Sequence, residues 1–198
     1  MKRYSVGNLP LKEIATQLRE GAIMLYPTDT IPGIGCLGNN QHAVERLFEI
    51  KIRDPSKSVS YAFSSLFQMM SYVEFPKNAW KLSELYPGKL TLVVPRNIES
   101  PDLYGIETSS IGCRIPDVDW FLELIKITGT PIVTTSANIS GASPVTNIDS
   151  IPYELLDNID ILIEWDGDLQ GISSTVVDLT EKDEYRILRE GGIKEDII

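Results

Sequence analysis

Histidine and cysteine are scarce in this 198-residue chain: His42 stands alone, and Cys36 and Cys113 lie far apart with no CxxC pair. A disulfide framework or a structural zinc site needs clustered cysteines, so neither is expected, and two isolated thiols suit a reducing cytoplasm. A single histidine excludes HExxH metalloprotease chemistry. A Ser-His or Cys-His nucleophile would depend wholly on His42, which reads as a surface residue in the first turn of a helix. No apolar run approaches the roughly 20 residues of a spanning helix, so no membrane partner is expected. Behind Met1-Lys2-Arg3-Tyr4-Ser5-Val6-Gly7 there is no apolar stretch of the kind a signal peptide carries. Bases are also few, 18 against 28 acids for a net charge of −10. Affinity for duplexes rests on phosphate neutralisation by Lys and Arg, so a general nucleic-acid binder is disfavoured. No internal repeat, low-complexity tract or Gly/Ser linker divides the chain, and one domain over residues 1–198 is expected.

The charge that is present is uneven. Residues 149–184 hold 11 acids and one base, Lys182, whereas Arg46, Lys51, Arg53 and Lys57 fall within twelve residues. A cationic spot on an acidic body suits a small anionic ligand better than a long polyanion.

Short β-type runs alternate with helical ones, which predicts an α/β fold with a mixed sheet of at least seven strands. Pro10 opens a helix that Gly21 ends, and Ala22 to Tyr26 is a strand stopped at Pro27. Asn40 caps a helix with Val44, Leu47 and Phe48 on one face. Val59 to Phe63 alternates as a half-buried strand, and a helix runs from about Pro76 to Leu85. Leu90 to Val94 and Ile111 to Ile115 are strands closed by Pro95 and Pro116. Asp117 caps a helix whose Phe121, Leu122 and Ile125 share a face, with Gly129 as its stop. Further strands start at Ile132, Ile159, Thr175 and Tyr185.

Three segments at strand ends are rich in hydroxyls: Thr28-Asp29-Thr30, Thr134-Thr135-Ser136-Ala137-Asn138, and Ser173-Ser174-Thr175. Each alone is ordinary turn-forming sequence. Together they lie where the loops of open α/β sheets converge on ligands. The cations sharpen this reading. One turn beyond Phe48 the apolar stripe reaches Lys51, where the helix macrodipole accounts for a cation worth about 0.3–1 kcal/mol. The macrodipole does not account for Arg53 and Lys57 beyond it, nor for Arg114 inside an apolar strand. An unpaired arginine there is costly to bury, so Arg114 should face a cleft and meet a carboxylate or an anion. Arg189 closes a later strand in the same way. Generic phosphate motifs fail: there is no GxxxxGK[ST], and Gly33-Ile34-Gly35 is a lone GxG that reads as a turn.

Tyr26-Pro27-Thr28-Asp29-Thr30, Gly33-Ile34-Gly35, Lys51-x-Arg53, Pro87-Gly88-x-x-Thr91, Arg114-x-Pro116, Ser136-Ala137-Asn138-x-Ser140-Gly141, Ser174-Thr175-Val176-Val177-Asp178 and Leu188-Arg189-x-Gly191 occur in this order. The series resembles the YrdC-like family, whose best-known members are threonylcarbamoyl-AMP synthases, over about residues 10–192. The resemblance implies a twisted open mixed β-sheet flanked by helices, with a central cationic cleft. It implies joining of L-threonine, bicarbonate and ATP, with Mg²⁺, into threonylcarbamoyl-AMP and pyrophosphate, for modification of adenosine 37 in tRNA. Thr30, Arg114, Thr134 and Ser174 would then line the threonine site. Lys51, Arg53, Lys57, Ser110, Ser136, Asn138, Ser143 and Arg189 would hold ATP, with Lys51 and Arg53 catalytic, and Asp29 could hold Mg²⁺ or orient Lys51. tRNA or a downstream threonylcarbamoyl-transferase complex would be the partner. Many family members carry histidine in the strand after the Lys-x-Arg segment, where Ala62 stands here. Two alternatives are a module binding structured RNA and a YciO-like paralogue that binds nucleotide for another purpose.

Overall fold

The computed structural model describes residues 1–52, 59–105, 109–139, 142–181 and 184–198. Arg53, Lys57, Ser140 and Gly141 therefore lie outside the described residues. In chain order, β1 (Lys2–Ser5) precedes α1 (Leu11–Arg19), and β2 (Met24–Tyr26) and β3 (Gly33–Leu37) precede α2 (Gln41–Ile50). Then come β4 (Ser60–Ala62), α3 (Leu66–Met70), α4 (Ala79–Ser83), β5 (Leu90–Pro95), β6 (Ser110–Arg114) and α5 (Asp119–Thr128). β7 (Ile132–Ser136), α6 (Tyr153–Leu156), β8 (Ile161–Glu164), β9 (Thr175–Asp178) and β10 (Arg186–Arg189) complete the set.

Local chemistry accounts for several boundaries. The Pro10 carbonyl accepts from Ile14 N at 3.0 Å, so α1 starts where proline's missing N–H has no role. The Asn40 side chain accepts from Ala43 N at 3.0 Å and caps α2. Gly129, at φ +74°, ends α5 in the left-handed conformation that a Cβ disfavours.

The strands form one sheet in the order β1-β8-β2-β3-β7-β4-β6-β5-β9-β10. It is mixed: β1/β8, β2/β8, β4/β6 and β5/β9 run parallel, and the remaining neighbours run antiparallel. Alternation along the strands sorts side chains into two cores. Ile34, Cys36, Tyr61, Leu92, Cys113, Val133 and Val177 bury against α2, α3, α4 and α6. Met24, Tyr26, Leu37, Ala62, Ile132, Ile161 and Ile163 bury against Ile14 and Leu18 of α1 and Phe121, Leu124 and Ile125 of α5. Each large side chain buried in this way contributes about 1.5–3 kcal/mol. Among the described residues no helix is long and apolar enough to cross a membrane.

Several expectations are corrected. Gly33-Ile34-Gly35 is not a turn but the start of β3, paired with β2 on one side and β7 on the other. A glycine-rich segment can sit in a strand when both flanking strands supply its hydrogen bonds. The N-cap of α5 is Val118 and not Asp117, and the acid in its first turn is Asp119. Leu124 replaces Leu122 on the buried face of that helix. The helix expected over Pro76–Leu85 shrinks to α4. β1 was not anticipated, because its KRYS sequence is mostly exposed on the edge of the sheet.

Candidate functional site

The face of the sheet covered by α1 and α5 changes character towards β9. Where apolar residues would be needed to seat another helix, the same face carries Gly33 and Gly35 on β3, Thr134 on β7, Ser60 on β4, Thr91 on β5 and Val176 on β9. Small and hydroxylated residues leave a cavity of about 270 Å³ over these strands, closed by the loop Thr28–Pro32, Arg114, Ser173, Ser174 and Arg189.

Arg114 ends β6 with its Nη2 2.8 Å from Asp29 Oδ1, and both side chains are almost buried, at 11% and 8% exposed. Asp29 Oδ2 and Arg114 Nε are buried with no hydrogen-bond partner. The expectation for Arg114 therefore holds on both counts: it meets a carboxylate and lines a cleft. Asp29 is engaged with Arg114.

Facing this pair, Arg189 donates from Nε and Nη2 to the Ser174 carbonyl at 3.1 and 2.9 Å, and from Nη2 to Ser174 Oγ at 3.1 Å. Ser174 Oγ also lies 2.8 Å from Thr91 Oγ1. Burial, and then the neighbouring Arg114 guanidinium, push the Arg189 pKa below its ordinary value. The crossing of β10 past this corner is tight. A Cβ on Gly191 would stand 2.3 Å from the Ser173 carbonyl oxygen, so only glycine fits. Just beyond it Gly192 N donates to the Ser173 carbonyl at 2.9 Å, folding the C-terminal segment back against the start of β9.

The hydroxyls on the other wall form a chain of their own. Thr28 Oγ1 donates to the Ile31 carbonyl at 2.8 Å, accepts from Thr30 N at 3.0 Å, and lies 2.8 Å from Thr30 Oγ1. Tyr26 Oη donates to Thr134 Oγ1 at 2.7 Å.

The residues singled out in the sequence are only partly brought together. Thr30, Arg114, Thr134, Ser136, Ser174 and Arg189 line the cavity. Lys51 does not: it is 1% exposed, with its ammonium donating to the Ser136 carbonyl and, at 2.5 Å, to the Asn138 carbonyl. It holds the Ser136–Asn138 loop from beneath. Asn138 is buried in that loop, bonded to Ser136 Oγ and, through Nδ2, to the Ala142 carbonyl at 2.5 Å. Ser110 pairs with Pro95 at the start of β6, and Ser143 is exposed away from the cavity wall. Thr28, Ser60 and Thr91 line the cavity without having been singled out as ligands. The inward alternation of Thr91 between Leu90 and Leu92 was the available signal. Ala62 packs in the α1/α5 core, beside Arg114 in register but away from the cavity.

An open mixed sheet flanked by helices, with hydroxyls and guanidinium groups gathered at its strand ends, defines an α/β protein with a polar cavity. The family model Sua5_yciO_yrdC, described as telomere recombination, matches residues 16–191, and the chain belongs to this family. The threonylcarbamoyl-AMP synthase of Pyrococcus abyssi is 32% identical over 193 residues, covering 96% of this chain and 56% of that protein. The Bacillus subtilis synthase is 30% identical over 199 residues, covering 98% and 57%. The chain thus spans little more than half the length of these two curated relatives. Among solved structures, P. abyssi Sua5 complexed with L-threonine superposes with a TM-score of 0.89 at 30% identity, over all of this chain and 61% of that one. Escherichia coli YciO shares the fold, with a TM-score of 0.87 at 23% identity over 99% of this chain and 98% of that one.

Proposed function

We propose that this protein is a threonylcarbamoyl-AMP synthase, converting L-threonine, bicarbonate and ATP into threonylcarbamoyl-AMP and pyrophosphate. The observation that carries this reading is that Arg114 and Arg189 both line one hydroxyl-lined cavity, where burial and then the Arg114 guanidinium disfavour the charge of Arg189. Like charges held together in this way favour an anionic occupant that relieves the repulsion. The carboxylate of an amino acid and the phosphates of a nucleotide both qualify. Membership of a family with synthases at 30–32% identity, and the threonine-bound relative, support the choice of substrates.

In this reading Thr30, Arg114, Thr134 and Ser174 hold threonine, and Ser136 and Arg189 face the nucleotide. Lys51 and Asn138 shape the loop that carries Ser136, and Ser110, Ser143, Arg53 and Lys57 belong to the ATP side by resemblance. The threonine nitrogen and bicarbonate give a carbamate with loss of water. One carbamate oxygen then bonds to the α-phosphorus as the bond to the β-phosphate bridging oxygen breaks and pyrophosphate leaves. Such a transfer needs in-line positioning and charge neutralisation more than a protein nucleophile. A chain with one histidine and two buried cysteines can supply both.

Mg²⁺ would enter with the triphosphate. The described residues hold no cluster of three or more metal-ligating side chains, and one buried carboxylate oxygen, Asp29 Oδ2, is left without a partner. That donor set fits a cation held chiefly by phosphates and water, with Asp29 as its protein contact. Bicarbonate as co-substrate and tRNA or a tRNA-modifying complex as the eventual recipient follow from the same reading. The continuous sheet supports one domain over residues 1–198.

Purified protein with ATP, Mg²⁺, threonine and bicarbonate is expected to release pyrophosphate only when both threonine and bicarbonate are present. Release that ignores either, or salt-dependent tRNA binding without ATP affinity, would falsify the proposal in favour of a nucleotide-binding paralogue or an RNA-binding module.

A further inference from the structure

We infer that Tyr26 is a positioning residue for the amino-acid substrate, acting through Thr134, and that Gly33 lets it reach there. The inference rests on the proposed threonine site. Tyr26 sits on β2, and Thr134 lies two strands away on β7, with β3 between them. The register pairs Tyr26 with Gly33 and Gly35 with Thr134. The tyrosine ring therefore has to cross the face of β3 for its hydroxyl to touch Thr134.

That crossing is possible because β3 presents no side chains beneath the ring. A Cβ on Gly33 would stand 3.0 Å from two ring carbons of Tyr26; one on Gly35 would first meet the Val133 carbonyl oxygen at 2.2 Å and then Tyr26 Oη at 3.2 Å. On its far side the ring stacks on Phe121 at 4.5 Å between centroids and meets the edge of Trp120 at 6.4 Å. The ring is fully buried between helix α5 and bare backbone, so the hydroxyl has one place to go, 2.7 Å from Thr134 Oγ1.

The consequence for the cavity lies in proton bookkeeping. Thr134 Oγ1 accepts the Tyr26 proton, which occupies one lone pair and fixes the oxygen, leaving the threonine's own O–H to donate into the cavity. Burial raises the Tyr26 pKa, so the phenol keeps its proton and stays a donor throughout the physiological range. Thr134 is thereby held as a hydrogen-bond donor aimed at an acceptor, as a substrate carboxylate provides. Without Tyr26 Oη the Thr134 hydroxyl is free to rotate and can present a lone pair to that carboxylate.

Tyr26→Phe deletes one oxygen and keeps the ring stack, and cavity water can replace the lost partner of Thr134. The expected result is a melting temperature lower by only about 1–6 °C, with a threonine KM about three- to tenfold higher and the ATP KM unmoved, the size of one net hydrogen bond. Thr134→Val should raise the threonine KM, and adding Tyr26→Phe to it should raise it little further. In thermal melts the two substitutions should likewise be non-additive, a test that needs no substrate. An unchanged threonine KM in Tyr26→Phe overturns the inference, as does an equal rise in both KM values with a collapsed melting temperature. Additivity in the melts overturns it as well. Absence of threonine-dependent turnover in the unchanged protein refutes the proposed activity instead, and the melts still decide the contact.

Discussion

Replacing Arg114 by alanine tests whether the floor of the cavity is a true buried ion pair. Arg114 and Asp29 are 2.8 Å apart, with side chains 11% and 8% exposed, and Asp29 Oδ2 already lacks a partner. Deleting the guanidinium leaves a nearly buried carboxylate with neither oxygen hydrogen-bonded. Breaking such a pair costs about 3–5 kcal/mol. The cavity lets water follow the truncated side chain, which places the loss near the lower end, about 3 kcal/mol. For a domain of this size each kcal/mol moves the melting temperature by about 2–4 °C, so Arg114→Ala should melt about 6–12 °C lower. Adding Asp29→Asn removes the stranded charge and should restore part of that loss. Differential scanning calorimetry reads both, and threonine KM, measured on folded protein below the transition, should rise steeply in Arg114→Ala. A fall of less than 2 °C, or a double variant no better than Arg114→Ala alone, refutes the ion-pair reasoning.

Lys51→Ala is expected to lose activity and stability together, by about 2–4 kcal/mol, because two loop carbonyls lose a charged donor in a buried position; circular-dichroism melts check this, and an unchanged melting temperature would contradict it. Alkaline pH should unfold the protein. Burial pushes the Cys36 thiol up to about 12 from 9.0, and raises the Cys113 thiol and the Tyr26, Tyr61 and Tyr86 phenols as well. Groups whose folded pKa is raised contribute stability that is whole below their unfolded values of 9.0 and 10.0 and is lost as pH climbs towards the folded ones. Denaturant midpoints should therefore fall from about pH 9 upwards, and both thiols should resist a thiol reagent at pH 8 until denaturant is added; rapid labelling of the native protein would count against their burial.

Much of the fold was legible because its signals are local. The Asn40 cap, the Gly21 and Gly129 stops and the apolar run of Leu90 to Val94 closed by Pro95 depend on neighbours within a turn or a strand. The errors arose where pairing partners decide. Gly33-Ile34-Gly35 has no intrinsic strand preference, yet β2 and β7 supply hydrogen bonds on both sides of it. The basic, exposed β1 is a strand only because β8 lies beside it. Lys51 reads as a cation at a helix end, and nothing within a turn of it tells that the Ser136–Asn138 loop lies across its tip.

The chain's letters by themselves determined an α/β protein with hydroxyls at its strand ends and arginines at the ends of two strands, since composition and periodicity are properties of the chain alone. Which of those groups share a cavity was decided only in three dimensions. Asp29 meets Arg114 across 85 residues, Thr91 meets Ser174 across 83, and Tyr26 meets Thr134 across 108. A sheet whose neighbours are not consecutive in sequence converts those long separations into contacts of under 3 Å, and no local preference encodes that order.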